Sequence, residues 1–179
     1  MIKNFQKEYF NNTEKKDYFY NLIFNLIKNT NIILDIDGTL LPYNNNINNN
    51  KILQKNIEII NSLTHNKNDI YLCSNTFKTD RSQNIKNFIK QNINITIPII
   101  KTYGLYKKPF LNLTHHITNP HKSLLVIGDL YLSEGLLAKW NNADFLWVES
   151  LTSKKDPYLY KWLVKTDSLI YNYYLQKNN

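Results

Sequence analysis

The sequence predicts an α/β domain built on a parallel sheet, and three observations carry that expectation. Short β-branched and apolar runs alternate with stretches whose apolar residues recur at helical spacing. Those runs are near-continuous rather than alternating, as in strands buried on both faces. Acidic, glycine and hydroxyl residues gather just after them, where open α/β sheets bind ligands. Strands alternating with helices imply right-handed crossovers and a Rossmann-like, three-layer arrangement.

The elements follow in order. Tyr18–Lys28 reads as a helix leading into a first strand, Asn31–Asp35. The Asn-rich run Asn44–Asn50 reads as a polar loop. Lys51–Thr64 then spaces Ile52, Leu53, Ile57, Ile60 and Leu63 at helical intervals. Asp69–Cys73 is a second strand, followed by a polar break and a helix over Asp80–Gln91. Ile95–Lys101 is a third strand, in which Pro98 indicates an edge or a bend. Leu124–Ile127 and Asp144–Val148 are the fourth and fifth. Asp156 followed by Pro157 is a cap and first-turn signal for a long aromatic helix over 157–175. No repeat or linker divides the chain, so residues 1–179 read as one domain with an N-terminal lead over 1–29.

Composition bounds the function. A chain of 179 residues suits one α/β domain with a full core. The single cysteine, Cys73, excludes an intramolecular disulfide and fits a reducing compartment. No uninterrupted apolar segment approaches the roughly 20 residues that span a bilayer. The N-terminus lacks the apolar core of a signal peptide, and Glu8, Glu14 and Asp17 argue against an Arg-rich import presequence. The expected location is cytoplasmic or organellar, not secreted. A net charge of +8 would ordinarily suggest an anionic partner. The chain is crowded with Asn, Lys, Ile and Tyr, however, and has a lone arginine, Arg81, and only two alanines, Ala138 and Ala143. That bias reads as AT-rich coding, so no nucleic-acid partner is expected from the charge.

The strand ends carry the chemistry. Asn31–Leu41 (NIILDIDGTLL) places Asp35 and Asp37 beyond a buried strand and just before a Gly-Thr turn. Two carboxylates so close repel each other unless a cation shares them. The second strand finishes in Ser74-Asn75-Thr76, a run of small hydrogen-bond donors. Lys107-Lys108-Pro109 follows the third strand, and Gly128-Asp129 ends the fourth, with Glu134 five residues on. Topology brings these groups to one sheet edge. They supply a nucleophilic carboxylate, an acid/base carboxylate, a hydroxyl donor, a cation and metal-binding acids, the equipment for phosphoryl transfer through an aspartyl-phosphate.

DIDGT, then SNT, then KKP, then VIGD with a later acid resembles the four-motif signature of the haloacid-dehalogenase (HAD) superfamily of phosphohydrolases. More narrowly, the chain resembles the YqeG-like branch, which includes the mitochondrial phosphatidylglycerophosphate phosphatases. That resemblance covers nearly the whole length. It includes Pro42 after the first motif, the paired lysines before Pro109, and the GD-x-x-x-[ST]-[DE] pattern at Gly128–Glu134. Two departures stand out: Glu134 where the branch usually has Asp, and a Gly-Leu-Leu-Ala-Lys-Trp segment in place of a small-residue and Asn pattern.

The resemblance implies roles. Asp35 would be the nucleophile. Asp37 would be the acid and then the base, its carbonyl also a cation ligand. Ser74 would donate to the transferring phosphoryl group, with Thr39 and Asn75 as further substrate contacts. Lys108 would neutralise charge at the nucleophile, with Lys107 at the substrate rim. Asp35, Asp37 and Asp129 would hold Mg²⁺, and Glu134 would complete or orient the shell. The implied place is the matrix side of a mitochondrion, peripheral to a membrane, in phospholipid biosynthesis.

Each residue also has a plainer reading. Asp35 and Asp37 could be turn or cap residues, Ser74 a strand-end hydroxyl, and the two lysines a solvated surface pair. Glu134 could be a first-turn acid favoured by the helix dipole. His115, His116 and His121 show no ligand pattern.

The gaps from Asp37 to Ser74 and from Ser74 to Lys108 each hold only core elements. No large cap domain is expected, and an open site suits a phosphate on a large or surface-held substrate. A lipid headgroup fits, as does a phosphorylated protein or nucleic-acid end. Trp162, Tyr173 and Tyr174 beside Lys161 and Lys165 can meet a lipid headgroup layer, or they can pack on the sheet or a partner. The alternative function is a non-catalytic structural subunit of a larger organellar assembly, with protein partners.

Overall fold

The computed structural model describes residues 26–43, 51–74, 79–102 and 108–177. The start of the expected Tyr18–Lys28 helix and the Asn44–Asn50 loop lie outside the described residues. Five strands form one all-parallel sheet in the order β3-β2-β1-β4-β5. These are β1 (Thr30–Asp35), β2 (Asp69–Ser74), β3 (Ile99–Lys101), β4 (Ser123–Gly128) and β5 (Asp144–Trp147). The helices are α1 (Lys51–His65), α2 (Thr79–Ile93), α3 (Leu136–Trp140) and α4 (Tyr158–Lys177).

β1 is buried along its whole length, which is why its centre, Ile32–Leu34, is apolar on both faces. Its register with β2 sets Asp35 opposite Cys73. Successive residues point to opposite faces, so the sheet has two cores. Ile32 and Leu34 of β1, with Leu72 and Ile127, pack against Ile57, Ile60 and Leu63 of α1 and Ile85 and Ile89 of α2. Ile33, Tyr71, Cys73 and Val126 face the other way, onto Leu113, Leu137 and Ala138. Each fully buried Ile or Leu contributes roughly 1.5–3 kcal/mol over its exposed state. The result is helix, sheet and helix, a three-layer α/β architecture compatible with a Rossmann-like fold.

β3 is shorter than the expected Ile95–Lys101. Pro98 has no N–H to donate, so it precedes the ladder, offering only its carbonyl to the Leu72 N–H at 2.9 Å. The strand does lie at a sheet edge. A second difference lies between β4 and β5. There the sequence offers just the reading of Glu134 as a first-turn acid, without helix bounds, and a five-residue π-helical turn, Tyr131–Gly135, runs directly into α3.

Asparagine does much of the work that glycine does elsewhere. Asn94 and Asn142 adopt left-handed backbone just after α2 and α3 (φ 54° and 51°), the conformation that ends a helix with its last carbonyls paired. The Ala143 N–H then reaches back to the Ala138 carbonyl at 2.9 Å.

α4 lies against the β5 side. Tyr171 stacks on Trp147 at 5.4 Å and Tyr174 meets Tyr131 at 5.0 Å. Asp167, also buried, accepts from the Tyr131 and Leu132 N–H groups at 2.5 and 2.8 Å, capping the π-helical turn from outside it. Among the described residues no helix is long and apolar enough to cross a membrane.

Candidate active site

The chain leaves β1 for β2 and β3 on one side and returns to β4 on the other, so the sheet reverses direction between β1 and β4. Asp35 ends β1, and Asp129 follows β4. Both carboxylates therefore stand at the switch point, where open α/β sheets form their ligand crevice.

Asp35 and Lys108 form a buried ion pair. Lys108 opens a short 3₁₀ turn, Lys108–Phe110, and is only 2% exposed. Its ammonium also meets Glu134 Oε1 at 2.6 Å. Glu134 Oε2 accepts from the Leu130 N–H at 3.1 Å, so both oxygens of Glu134 are engaged by protein. The structure thus places Glu134 on the lysine, with Lys108 held between two acids. A Cβ on Gly128 would lie 2.2 Å from Glu134 Cγ, so only glycine fits before Asp129.

The Asp129 carboxylate is a second hub. Thr39 Oγ1 lies 3.3 Å from Asp129 Oδ1 and 3.4 Å from Asp35 Oδ2, so one hydroxyl sits between the two acids. Tyr160 donates to Asp129 Oδ2 at 3.2 Å, and Trp147 Nε1–H donates to the Asp129 carbonyl at 2.9 Å. Gly38 makes this approach possible: its φ is +86°, and a Cβ there would lie 2.2 Å from Asp129 Oδ2.

Asp37 is held by Arg81. Arg81 Nε–H donates to Asp37 Oδ1 at 2.7 Å, and Arg81 Nη2 donates to the Pro42 carbonyl at 2.7 Å. One rigid guanidinium thus fixes the carboxylate and the turn after it. Ser74 is buried at the end of β2, one step past the Asp35 level, and its carbonyl accepts from the Thr102 N–H and hydroxyl. Asn75 and Lys107 lie outside the described residues.

Charge in this pocket is unbalanced. Burial raises the Asp35 pKa well above the ordinary carboxylate range; Lys108 opposes the rise, and the Glu134 and Asp129 charges add to it. Burial pushes the Asp129 carboxyl up to about 7, with Glu134 adding and hydrogen bonds from Ser150 and Tyr160 opposing. Burial works against a charged Lys108, but Asp35 and Glu134 override it and hold the ammonium. Burial raises the Cys73 thiol to about 12, so it is no nucleophile.

Among the described residues, no group of three or more His, Cys, Asp or Glu side chains has the arrangement of a metal site. Two carboxylates, Asp35 and Asp129, do flank the Thr39 hydroxyl, and among the described residues Lys108 is the ammonium paired with Asp35 and Glu134. Mg²⁺ is commonly held by one or two carboxylates with water and phosphate oxygens. The donor set fits such a cation, with Asp35 and Asp129 as the residues that could hold it.

No protein-family model, curated protein or solved structure matches the chain. Five residues around the acids were not singled out for the site by the sequence: Arg81, Trp147, Ser150, Tyr160 and Asp167. Arg81 alone carried a signal, as the one arginine in a chain rich in lysine.

Proposed function

We propose that this chain is a Mg²⁺-dependent phosphomonoesterase of the cap-less haloacid-dehalogenase type, acting through an aspartyl-phosphate on Asp35. The observation that carries the reading is the buried Asp35–Lys108–Glu134 cluster beside Asp129 at the sheet's switch point.

In this reading an Asp35 oxygen attacks phosphorus while the ester P–O bond breaks, and Asp37 gives its proton to the leaving oxygen. Water then attacks the aspartyl-phosphate, Asp37 takes its proton, and phosphate leaves Asp35 free. Lys108 offsets the negative charge of the nucleophile and phosphoryl oxygens, and Glu134 holds it in place. The Ser74 hydroxyl would donate to a phosphoryl oxygen, with Asn75 and Lys107 as further substrate contacts. Arg81 fixes the Asp37 carboxylate for its two proton transfers. Mg²⁺ held by Asp35 and Asp129, with the Asp37 carbonyl, would supply charge neutralisation.

The described residues between β1 and β2 add α1, and those between β2 and β3 add α2, which supports an open site without a cap. An open site favours a large or surface-held phosphate, and phosphatidylglycerophosphate is the substrate the YqeG-like resemblance implies. A second reading, a structural subunit of an organellar assembly, is favoured by the exposed apolar side chains of α4.

Phosphate release from phosphatidylglycerophosphate vesicles, run beside soluble phosphomonoesters, tests the proposal. Release should require Mg²⁺ and fall to background in Asp35→Asn, whose amide is a far poorer nucleophile. Undiminished release by pure Asp35→Asn protein overturns the mechanism. Absence of release from every substrate favours the structural subunit.

A further inference from the structure

α4 reaches the acidic site at its first turn, and the phenol it delivers belongs to none of the sequence motifs. Tyr160 Oη lies 3.2 Å from Asp129 Oδ2 and 3.4 Å from Ser150 Oγ. Its ring stacks on Tyr43 with centroids 5.0 Å apart and planes 25° off parallel. Tyr43 follows Pro42, whose carbonyl Arg81 grips, so the ring is braced by the loop after β1. Gly38 completes the fit: a Cβ there would lie 2.3 Å from Tyr160 Oη. The phenol is thus braced on its ring side while its hydroxyl meets a buried carboxylate.

We infer that Tyr160 is a positioning residue: by donating to Asp129 Oδ2 it fixes the carboxylate and so sets the site's affinity for a divalent cation. The inference rests on reading Asp35 and Asp129 as cation ligands. Rotation of an Asp carboxylate about its terminal torsion is soft, and Tyr160 on Oδ2, with Thr39 on Oδ1 and Ser150, is one of the hydrogen bonds that limit it. A hydrogen bond that orients a ligating carboxylate typically changes metal affinity 10–100-fold. The coupling is reciprocal: a cation that favours the anchored Asp129 favours the docked α4 by the same factor.

Tyr160→Phe removes the hydroxyl and keeps the ring that stacks on Tyr43. Mg²⁺ is titrated calorimetrically into the full chain and into Tyr160→Phe, Asp129→Asn and Tyr171→Phe. Tyr171 is a buried phenol of the same helix that stacks on Trp147. The expected result is an affinity about 10-fold weaker in Tyr160→Phe and unchanged in Tyr171→Phe. Amide hydrogen exchange across α4 should slow on adding Mg²⁺ in the unchanged chain and not in Tyr160→Phe. Unchanged affinity in Tyr160→Phe, with binding lost in Asp129→Asn, overturns this inference alone. Equal weakening by Tyr171→Phe also overturns it, since general helix packing would then explain the effect. Binding that Asp129→Asn leaves untouched, or no binding by any form, overturns the cation site beneath it.

Discussion

Lys108 shows how a single buried charge can organise a site. Its ammonium stands between Asp35 and Glu134, and among the described residues it is the side-chain cation paired with each. Lys108→Met keeps the bulk and removes the charge, and breaking a buried pair in this way costs roughly 3–5 kcal/mol. The loss should appear in the urea midpoint and shrink when Glu134→Gln is added, because one of the facing charges is then gone. An undiminished loss in the double variant would contradict the shared-cation account. Asp129 leads to a pH prediction. Its folded carboxyl titrates near 7, above the ordinary value of 3.8 that the unfolded chain keeps. Between those values the folded state binds the extra proton, so this residue's contribution to stability falls as pH rises through that window. The metal-free melting temperature should therefore decline from pH 5 to pH 8 by more than in Asp129→Asn. Mg²⁺ should restore stability at pH 8 and do little at pH 5, where the proton occupies its ligand. An identical pH profile for Asp129→Asn would refute this.

At the scale of elements, the π-helical turn Tyr131–Gly135 depends on another part of the chain. Its first N–H groups have no cap from their own segment and are satisfied by Asp167 of α4. Asp167→Ala should cost about 1–3 kcal/mol through two unpaired donors, read as a lower denaturant midpoint with an unchanged slope. It should also loosen Glu134, which sits in that turn, and so weaken the hold on Lys108. A midpoint within error of the unchanged protein would mean that water replaces the cap. The placement of the cap also explains what was legible. β1, β2, β4 and β5 are within one residue of the sequence reading because each centres on a short apolar run bounded by polar residues, a local signal. The turn and α3 were not, because their cap lies over thirty positions away in the chain.

At the scale of the molecule, α4 has two apolar faces. Asp167 and Tyr171 turn inward, whereas Trp162 is 56% and Tyr173 66% exposed, along with Leu159, Leu169 and Ile170. Lys154, Lys155 and Lys165 are exposed near them. If the substrate is a lipid, this face should meet an anionic bilayer, each lysine adding about 1 kcal/mol of attraction that salt screens. Binding to anionic vesicles should weaken with salt and again in Trp162→Ala, while the melting temperature stays put. Concentration-dependent self-association without vesicle binding would assign the face to protein instead.

The succession of the five strands with α1, α2 and α4, the parallel sheet and the acids at its strand ends were determined by sequence alone. Each follows from a local rule: apolar continuity for a buried strand, helical spacing, and carboxylates placed where strands stop. What surrounds those acids was decided only in three dimensions. Glu134 read equally as a metal ligand or a first-turn acid, and the fold sets it on Lys108. Arg81 lies 44 positions from Asp37 and Tyr160 lies 31 from Asp129, so no local pattern links either pair. Short-range physics specifies where a carboxylate stands, but its partners come from whichever segments the packed sheet brings against it.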